Sequence, residues 1–481
     1  MNGADPSAPG PPYRPRPGTI PTLPIPDSRD WRKLHLVGVG GAGMSGLARL
    51  LLARAIAVTG SDLKWSQGMA TLERLGAMVS VGHRAEQVGS PDAVVVSSAI
   101  PPGNPEVLEA SRAGIPVLMR AQLLAALMRG HRGVAVAGTH GKTTTTSMVS
   151  AILTRAGLAP TFVIGGDLNE SGSGAEHGEG DVFVAEADES DGSFLLLEPD
   201  VAVITNVERD HVDFYGSPEE VEAAFAAFGL RARQLVACWD DPGLRRALAG
   251  TPTPLLRYGT GDGFDVVVRD VRLGAGTAAG AVEVRGEILD VELSIPGVHN
   301  LLNAAAAIGV AHLLDVPLNT AAEALQSFGG VRRRFEARGA ARGASFYDDY
   351  AHHPTEVSAT LRAARTDGRR IVAIFQPHRF TRTQAMWREL GESFGSADVV
   401  VVTDVYGAGE LPIPGVTGKL VVDALAEAEP GKRVVYLPRR ADIASFLAGE
   451  VRAGDLVLTL GAGDITMVGE ETLDRLREAG G

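Results

Sequence analysis

The chain has 481 residues, enough for about three domains at roughly 100–200 residues each, and its 45% hydrophobic content lets each bury a core. A formal net charge of -13 argues against a nucleic-acid partner, whose phosphates ask for a basic face. No apolar run of about 18 residues is present, which argues against a membrane span, and the single cysteine, Cys238, excludes an internal disulfide and fits a reducing cytoplasm.

Residues 1–30 are rich in Pro and Gly and lack an apolar segment, so they read as a disordered tail and not as a secretory signal. The stretch LHLVGVG, Leu34 to Gly40, predicts a strand that enters a tight turn and then a helix through Leu52. AIAVTGSD, ending at Asp62, and DAVVVSSAI, ending at Ile100, predict further strands of a first parallel α/β domain over 31–125. GVAVAG, Gly133 to Gly138, opens a second domain over 126–331. Its strands continue with DVFVAEAD and VAVITN, and the Gly-rich alternation from 258 to 296 predicts added antiparallel strands. RRIVAIFQPHR, ADVVVVTDVY and DLVLTLGAG predict a third domain over 332–481. The fold class is therefore α/β with three consecutive domains.

The second start leads into AGTHGKTTTT, Ala137 to Thr146. Glycines free backbone N–H groups at a helix N-terminus to cradle phosphate oxygens, a lysine adds charge to the outer phosphates, and a hydroxyl completes a magnesium shell. Gly138, Thr139, His140, Gly141, Lys142, Thr143 and Thr144 supply these parts for a nucleoside triphosphate. The loop is a shortened G-T-H-G-K-T, because Val136 stands where the standard P-loop has a glycine. Lys142 is expected to be exposed on this loop. In a parallel sheet the carboxyl ends of strands converge on one crevice, so Glu186 in EADESD and His211 in ERDHVD are expected to face it as metal ligands with Thr143.

The first start, Gly38-x-Gly40-x-x-Gly43 with Asp62 downstream, fits a pyrophosphate held at a helix N-terminus. Either NAD or a UDP-sugar carries that group. Gly41, Met44, Ser45, Ser61, Ser97 and Ser98 are the further candidates around it.

Taken in order, GVGGAGMSG, AGTHGKTTTT, EADESDGSF, TNVERDHVD, PGVHNLLNAAAA, GVRRRFE, DDYAHHPTE and QPHRFTRT resemble the Mur ligases over about residues 33 to 470. The resemblance implies a Rossmann-like UDP-sugar-binding domain, a central P-loop-type ATPase domain with a parallel sheet, and a mobile Rossmann-like C-terminal domain. It implies that Lys142 contacts the β- and γ-phosphates, that Thr143 and Glu186 hold one magnesium, and that His211 helps to hold a second. His299, Asn300 and Asn303 would meet the adenine side, and Arg334 and Asp349 the phosphates and ribose. His352, His378, Arg379 and Arg382 would gather an amino acid, one arginine taking its carboxylate.

The alanine-adding branch of the family fits best. It implies ATP and Mg2+ (with Mn2+ able to substitute), UDP-N-acetylmuramate and L-alanine as substrates, a cytoplasmic site of action, and a monomer or weak homodimer. No lysine stands between Lys142 and Lys419, so the carbamylated lysine of several related ligases is absent, as that branch implies. The recycling branch, which attaches a murein tripeptide to the same sugar, shares most motifs; Ser190 after EADE favours the alanine branch. An NAD-dependent oxidoreductase would use Gly38 to Gly43 and Asp62 but leaves Lys142, Glu186 and His211 without a role.

Overall fold

A computed structural model describes residues 24–165, 174–366 and 368–478. Residues 1–23 of the expected tail lie outside the described residues. Residues 24–30 correct its end point. Ser28–Asp30 form a 3-10 turn capped by the Asp27 side chain. Gln122 Nε2 donates to Pro24 O at 3.0 Å, Arg129 Nη1 to Ile25 O at 3.1 Å, and Ser28 Oγ to Ala126 O at 3.3 Å. Pro-rich composition hides this docking, because only backbone carbonyls and one hydroxyl are used.

The chain divides into two compact units. The first comprises the described residues up to Arg209, Phe214–Val267 and Ala304–Ala324; the second comprises Asp210–Asp213, Val268–Asn303 and the described residues from Leu325 onward.

Two sheets lie in the first unit. One has the order Met78–Val81, Ala57–Asp62, Lys33–Val37, Ala93–Val96, Val117–Met119, all parallel. Leu34, Leu36 and Val37 are fully buried, as the central strand of a sheet covered on both faces requires. The chain order reverses around Lys33–Val37, so the crevice falls just beyond Val37, at the first glycine turn. Of the ten strands of the other sheet, seven run Leu255–Gly259, Gln234–Cys238, Val201–Ile204, Arg132–Ala137, Val182–Glu186, Thr161–Val163, Ala175–Glu176. These seven are parallel except at the last strand. Arg132–Ala137 lies between Val201–Ile204 and Val182–Glu186, so the chain leaving each of these strands enters one crevice.

The second unit holds the expected antiparallel pair, Thr277–Val284 with Glu287–Leu293. Its main sheet has the order Glu336–Ala341, Ala344–Asp349, Leu456–Leu460, Ile371–Phe375, Val399–Val402, Arg433–Tyr436. The first pair is antiparallel and the others are parallel. Ile371, Ala373 and Phe375 pack into one apolar cluster with Val357, Leu361 and Phe394; Val372 and Ile374 pack into another with Ile443, Leu447 and Val468. The sheet is thus covered on both faces, which is why this strand reads as an unbroken apolar run. Among the described residues, no helix is long and apolar enough to cross a membrane.

Candidate active site

The loop from Gly138 to Thr144 is held from below by the next strand. Gly138 has φ 133° and Gly141 φ 81°. A Cβ on Gly138 would lie 2.0 Å from Thr205 Oγ1, so only glycine fits there. Asn206 accepts from Thr139 N at 3.1 Å through its carbonyl and from His140 N at 2.8 Å through Oδ1. Glu208 N donates to Thr139 Oγ1 at 2.9 Å. Thr139 and His140 therefore shape the loop, and their N–H groups are spent on it. The helix Lys142–Arg155 begins at Gly141 with no side-chain cap, and its first N–H groups have no intrahelical partner. The anion cradle falls at 141–144. Four threonines make a weak helix start, but all four are buried; Thr146 Oγ1 donates to Lys142 O and Ser147 Oγ to Thr143 O, while Thr145 Oγ1 is buried without a hydrogen-bond partner among the described residues.

Thr143 Oγ1 donates to Glu186 Oε1 at 3.2 Å, and Gly165 N donates to Glu186 Oε2 at 2.7 Å. These two residues stand together at the helix start, as expected. Lys142 corrects the expectation of an exposed side chain. Its Nζ donates to Gly138 O at 2.6 Å, Thr139 O at 3.2 Å and Glu189 Oε1 at 2.9 Å, and its side chain is 15% exposed. Glu189, which sequence reading missed, is 2% exposed. Burial opposes the charge on Lys142, but Glu189, Asp188 and Glu186 outweigh it and keep the ammonium ion. Burial pushes Glu189 up to about 7 against the pull of Lys142.

At the first glycine turn, Gly38 N and Val39 N donate to Ser61 O at 2.8 and 3.0 Å, and Gly40 N to Asp62 Oδ2 at 2.9 Å. One Asp62 oxygen is thus spent on the turn. Ser61 is fully buried and its hydroxyl bonds Glu106 Oε2 at 2.6 Å and His83 Nδ1 at 2.8 Å. Met44 and Ser45 are also buried, and Ser45 Oγ donates to Ala42 O. The Ser61 hydroxyl and the Met44 and Ser45 side chains therefore build the turn from inside. Gly40, Gly41, Gly43 and Ser97 keep some exposure, and Ser98 is exposed. Arg120, another residue not foreseen, lies beside Gly43, where a Cβ would come 3.0 Å from Nη1, and pairs with Asp188 at 3.2 Å.

In the second unit, His299 is the exposed member of its trio. Asn300 Nδ2 donates to Pro296 O at 2.7 Å and Asn303 Nδ2 to Asn300 Oδ1 at 3.3 Å, so both buried amides fasten the helix start. Asp349 accepts from Phe335 N and Ala351 N, each at 2.8 Å. Burial raises it to about 6 although Arg334 pulls the other way. It positions the Arg334 turn from below. Arg333, with φ 59°, is anchored on Asp348 and on the carbonyls of Gly461 and Gly463. Arg334 is 28% exposed, 3.7 Å from Glu356 and over the Tyr350 ring.

The run DDYAHHPTE turns into the helix Pro354–Arg365 through His353 as N-cap, Pro354 at the first position and Glu356 as its capping-box partner. This sets His352 edge-on to the His378 ring, centroids 5.4 Å apart. Arg379 has φ 70° and donates from Nε to Glu410 at 2.6 Å. Arg382 donates from Nε and Nη2 to the two oxygens of Asp210 at 3.1 and 3.0 Å, and its Nη1 lies 3.3 Å from His378 Nδ1. Two of its nitrogens are therefore taken by Asp210. His211, with φ 51°, lies 3.6 Å from Asp210 and is counted with this unit. Burial would raise Asp210, but His211 and Arg382 outweigh it and hold the carboxyl well below its usual range.

Burial, then Arg382, lowers His352 to about 3 and His378 to about 4, from an ordinary 6.5. Both bases are depressed in the fold, so the stability they contribute is present above pH 6.5 and is lost as pH falls toward 4 and then 3. The melting temperature is expected to fall over that window, and less steeply in His378→Asn. Parallel slopes in the two proteins would contradict it.

Three family models match the chain: the Mur ligase family catalytic domain over 33–132, the Mur ligase middle domain over 136–311, and the Mur ligase glutamate ligase domain over 333–463. A UDP-N-acetylmuramate--L-alanine ligase of Saccharopolyspora erythraea is 51% identical over 465 residues, which is 93% of this chain and 94% of that protein. The crystal structure of a UDP-N-acetylmuramate-alanine ligase from Thermotoga maritima matches with a TM-score of 0.80 at 30% identity, over 93% of this chain and 99% of that one. A murein peptide ligase from Psychrobacter arcticus matches with a TM-score of 0.70 at 26% identity, over 92% and 98%.

Proposed function

The chain belongs to the Mur ligase family, and we infer that it joins L-alanine to UDP-N-acetylmuramate at the expense of ATP, in cytoplasmic peptidoglycan precursor synthesis. The observation that carries this reading is the grouping of Lys142, Thr143 and Glu186 at one helix start, in a chain 51% identical to an enzyme of that activity. We place the domain divisions near residues 125 and 331.

A carboxylate is a poor acyl donor because oxide leaves badly. In the proposed reaction the muramate carboxylate takes the γ-phosphoryl group, giving an acyl phosphate and ADP. The alanine amine then attacks the carbonyl carbon, and inorganic phosphate leaves from the tetrahedral intermediate. The first step brings two anions together. The N–H groups at 141–144 and the Lys142 ammonium offset that repulsion. Thr143 and Glu186 offer adjacent hard oxygen donors, which fit Mg2+. Bound there, the ion supplies charge neutralisation at the triphosphate. We assign His211 to a second magnesium site, His299 to the adenine side and Arg334 to the phosphates. Gly40, Gly41, Gly43, Ser97 and Ser98 are assigned to the UDP-sugar. His352, His378 and Arg379 are assigned to the incoming amino acid, with Arg382 fixing His378 in place. Neutral imidazoles suit that cluster, since they leave the amine free of a competing cation.

The test is a substrate panel with ATP, UDP-N-acetylmuramate and either L-alanine or a murein tripeptide. Phosphate release and a product heavier by one alanine residue are expected with alanine. Faster turnover with the tripeptide would overturn the reading in favour of the recycling reaction.

A further inference from the structure

We propose that Glu189 is a positioning residue that competes with the phosphates of the nucleotide for the Lys142 ammonium group, so that a bound triphosphate must draw the lysine away from it. The proposal rests on the reading of Lys142 as a phosphate contact. An ammonium group has three N–H donors. Here all three are taken, by Gly138 O, Thr139 O and Glu189 Oε1. Two of these acceptors are neutral carbonyls of the loop. The third is a carboxylate, and it is the one whose charge opposes departure of the ammonium ion. The Glu189 carboxylate is 2% exposed, and its own carbonyl accepts from the buried Tyr215 hydroxyl, which fixes its backbone. A buried charged pair of this kind is shielded little by water or salt. When Lys142 turns outward, Glu189 stays behind and gives up the ammonium contact.

This arrangement gives Glu189 an effect opposite to that of a residue that supports the bound state. Its charge competes with the phosphates for one ammonium ion. Removing that charge releases the lysine to the ligand. Glu189→Gln keeps the shape and removes the competition, so ATP is expected to bind about tenfold more tightly, the scale of one charge-assisted hydrogen bond. AMP, which lacks the β- and γ-phosphates, should bind with unchanged affinity.

The experiment is calorimetry of ATP and AMP, with magnesium and without sugar or amino acid, on the full chain and on Glu189→Gln, Glu189→Asp and Lys142→Ala. Glu189→Asp draws the carboxylate back by one methylene and should fall between wild type and Glu189→Gln; it carries the test by itself if Glu189→Gln does not fold. The KM for ATP should drop in the same order while the KM for L-alanine stays. ATP binding that is unchanged or weaker in the folded Glu189 variants overturns the proposal. If Lys142→Ala binds ATP as wild type does, the reading of the loop fails first; if Lys142→Ala loses affinity and the Glu189 variants gain none, the holding role alone fails.

Discussion

Lys142→Ala is expected to lower kcat by roughly a hundredfold to a thousandfold, the usual loss when one donor to a developing oxyanion is removed. The loop around it should survive, because Gly138, Thr205 and Asn206 fix it without the lysine. The variant nevertheless has a stability cost, because Glu189 is left buried without its ammonium partner. Glu189 already sits at about 7, above its ordinary 4.5. A carboxyl raised in this way favours the fold most below pH 4.5, and that stability is lost as pH rises through 7. Loss of Lys142 raises Glu189 further and carries the decline to higher pH. Urea melts of the variant should therefore show a smaller deficit at pH 6 than at pH 8. Near-normal turnover would remove the ATP reading of the loop, and an equal deficit at both pH values would remove the account of Glu189.

What could be read in the sequence was what depends on pattern. The strand-loop-helix around GTHGKT and the acid at the end of Val182–Glu186 are both set by chain order in a parallel sheet, and Thr143 and Glu186 meet as that rule requires. The five apolar residues Ile371–Phe375 announce a strand covered on both faces. The strand Met78–Val81 gave a weaker signal, because it is a four-residue edge strand with none of its residues fully buried. Side-chain partners were hidden for a different reason. Glu189 and Asp210 stand in acidic runs that look solvated, and only tertiary packing sets one against Lys142 and the other against Arg382. Ser61 looks like a strand-end hydroxyl, yet the buried Glu106 turns it inward. The positive φ of Arg333, Arg379 and His211 has no mark in the sequence, since no glycine announces it.

Arg382→Ala is expected to be the most costly single change in the second unit. The guanidinium is 6% exposed and grips both oxygens of an Asp210 side chain that is 10% exposed. Removing one partner of a buried pair strands the other, at a cost of about 3–5 kcal/mol. His211, 3.6 Å from Asp210, offers one point contact where the arginine made two. Arg382→Lys should recover only part of the loss, because an ammonium ion cannot reproduce the planar fork. Arg382→Ala with Asp210→Asn should be less unstable than the sum of the two single changes, since the second removes the stranded charge. Activity should fall in the same variants with a raised KM for L-alanine, because Arg382 Nη1 also lies against His378. Denaturant melts of the two single variants and the double variant decide the matter. Additive losses, or a stable Arg382→Ala with wild-type KM, would show that the pair neither holds this cluster nor serves the amino-acid site.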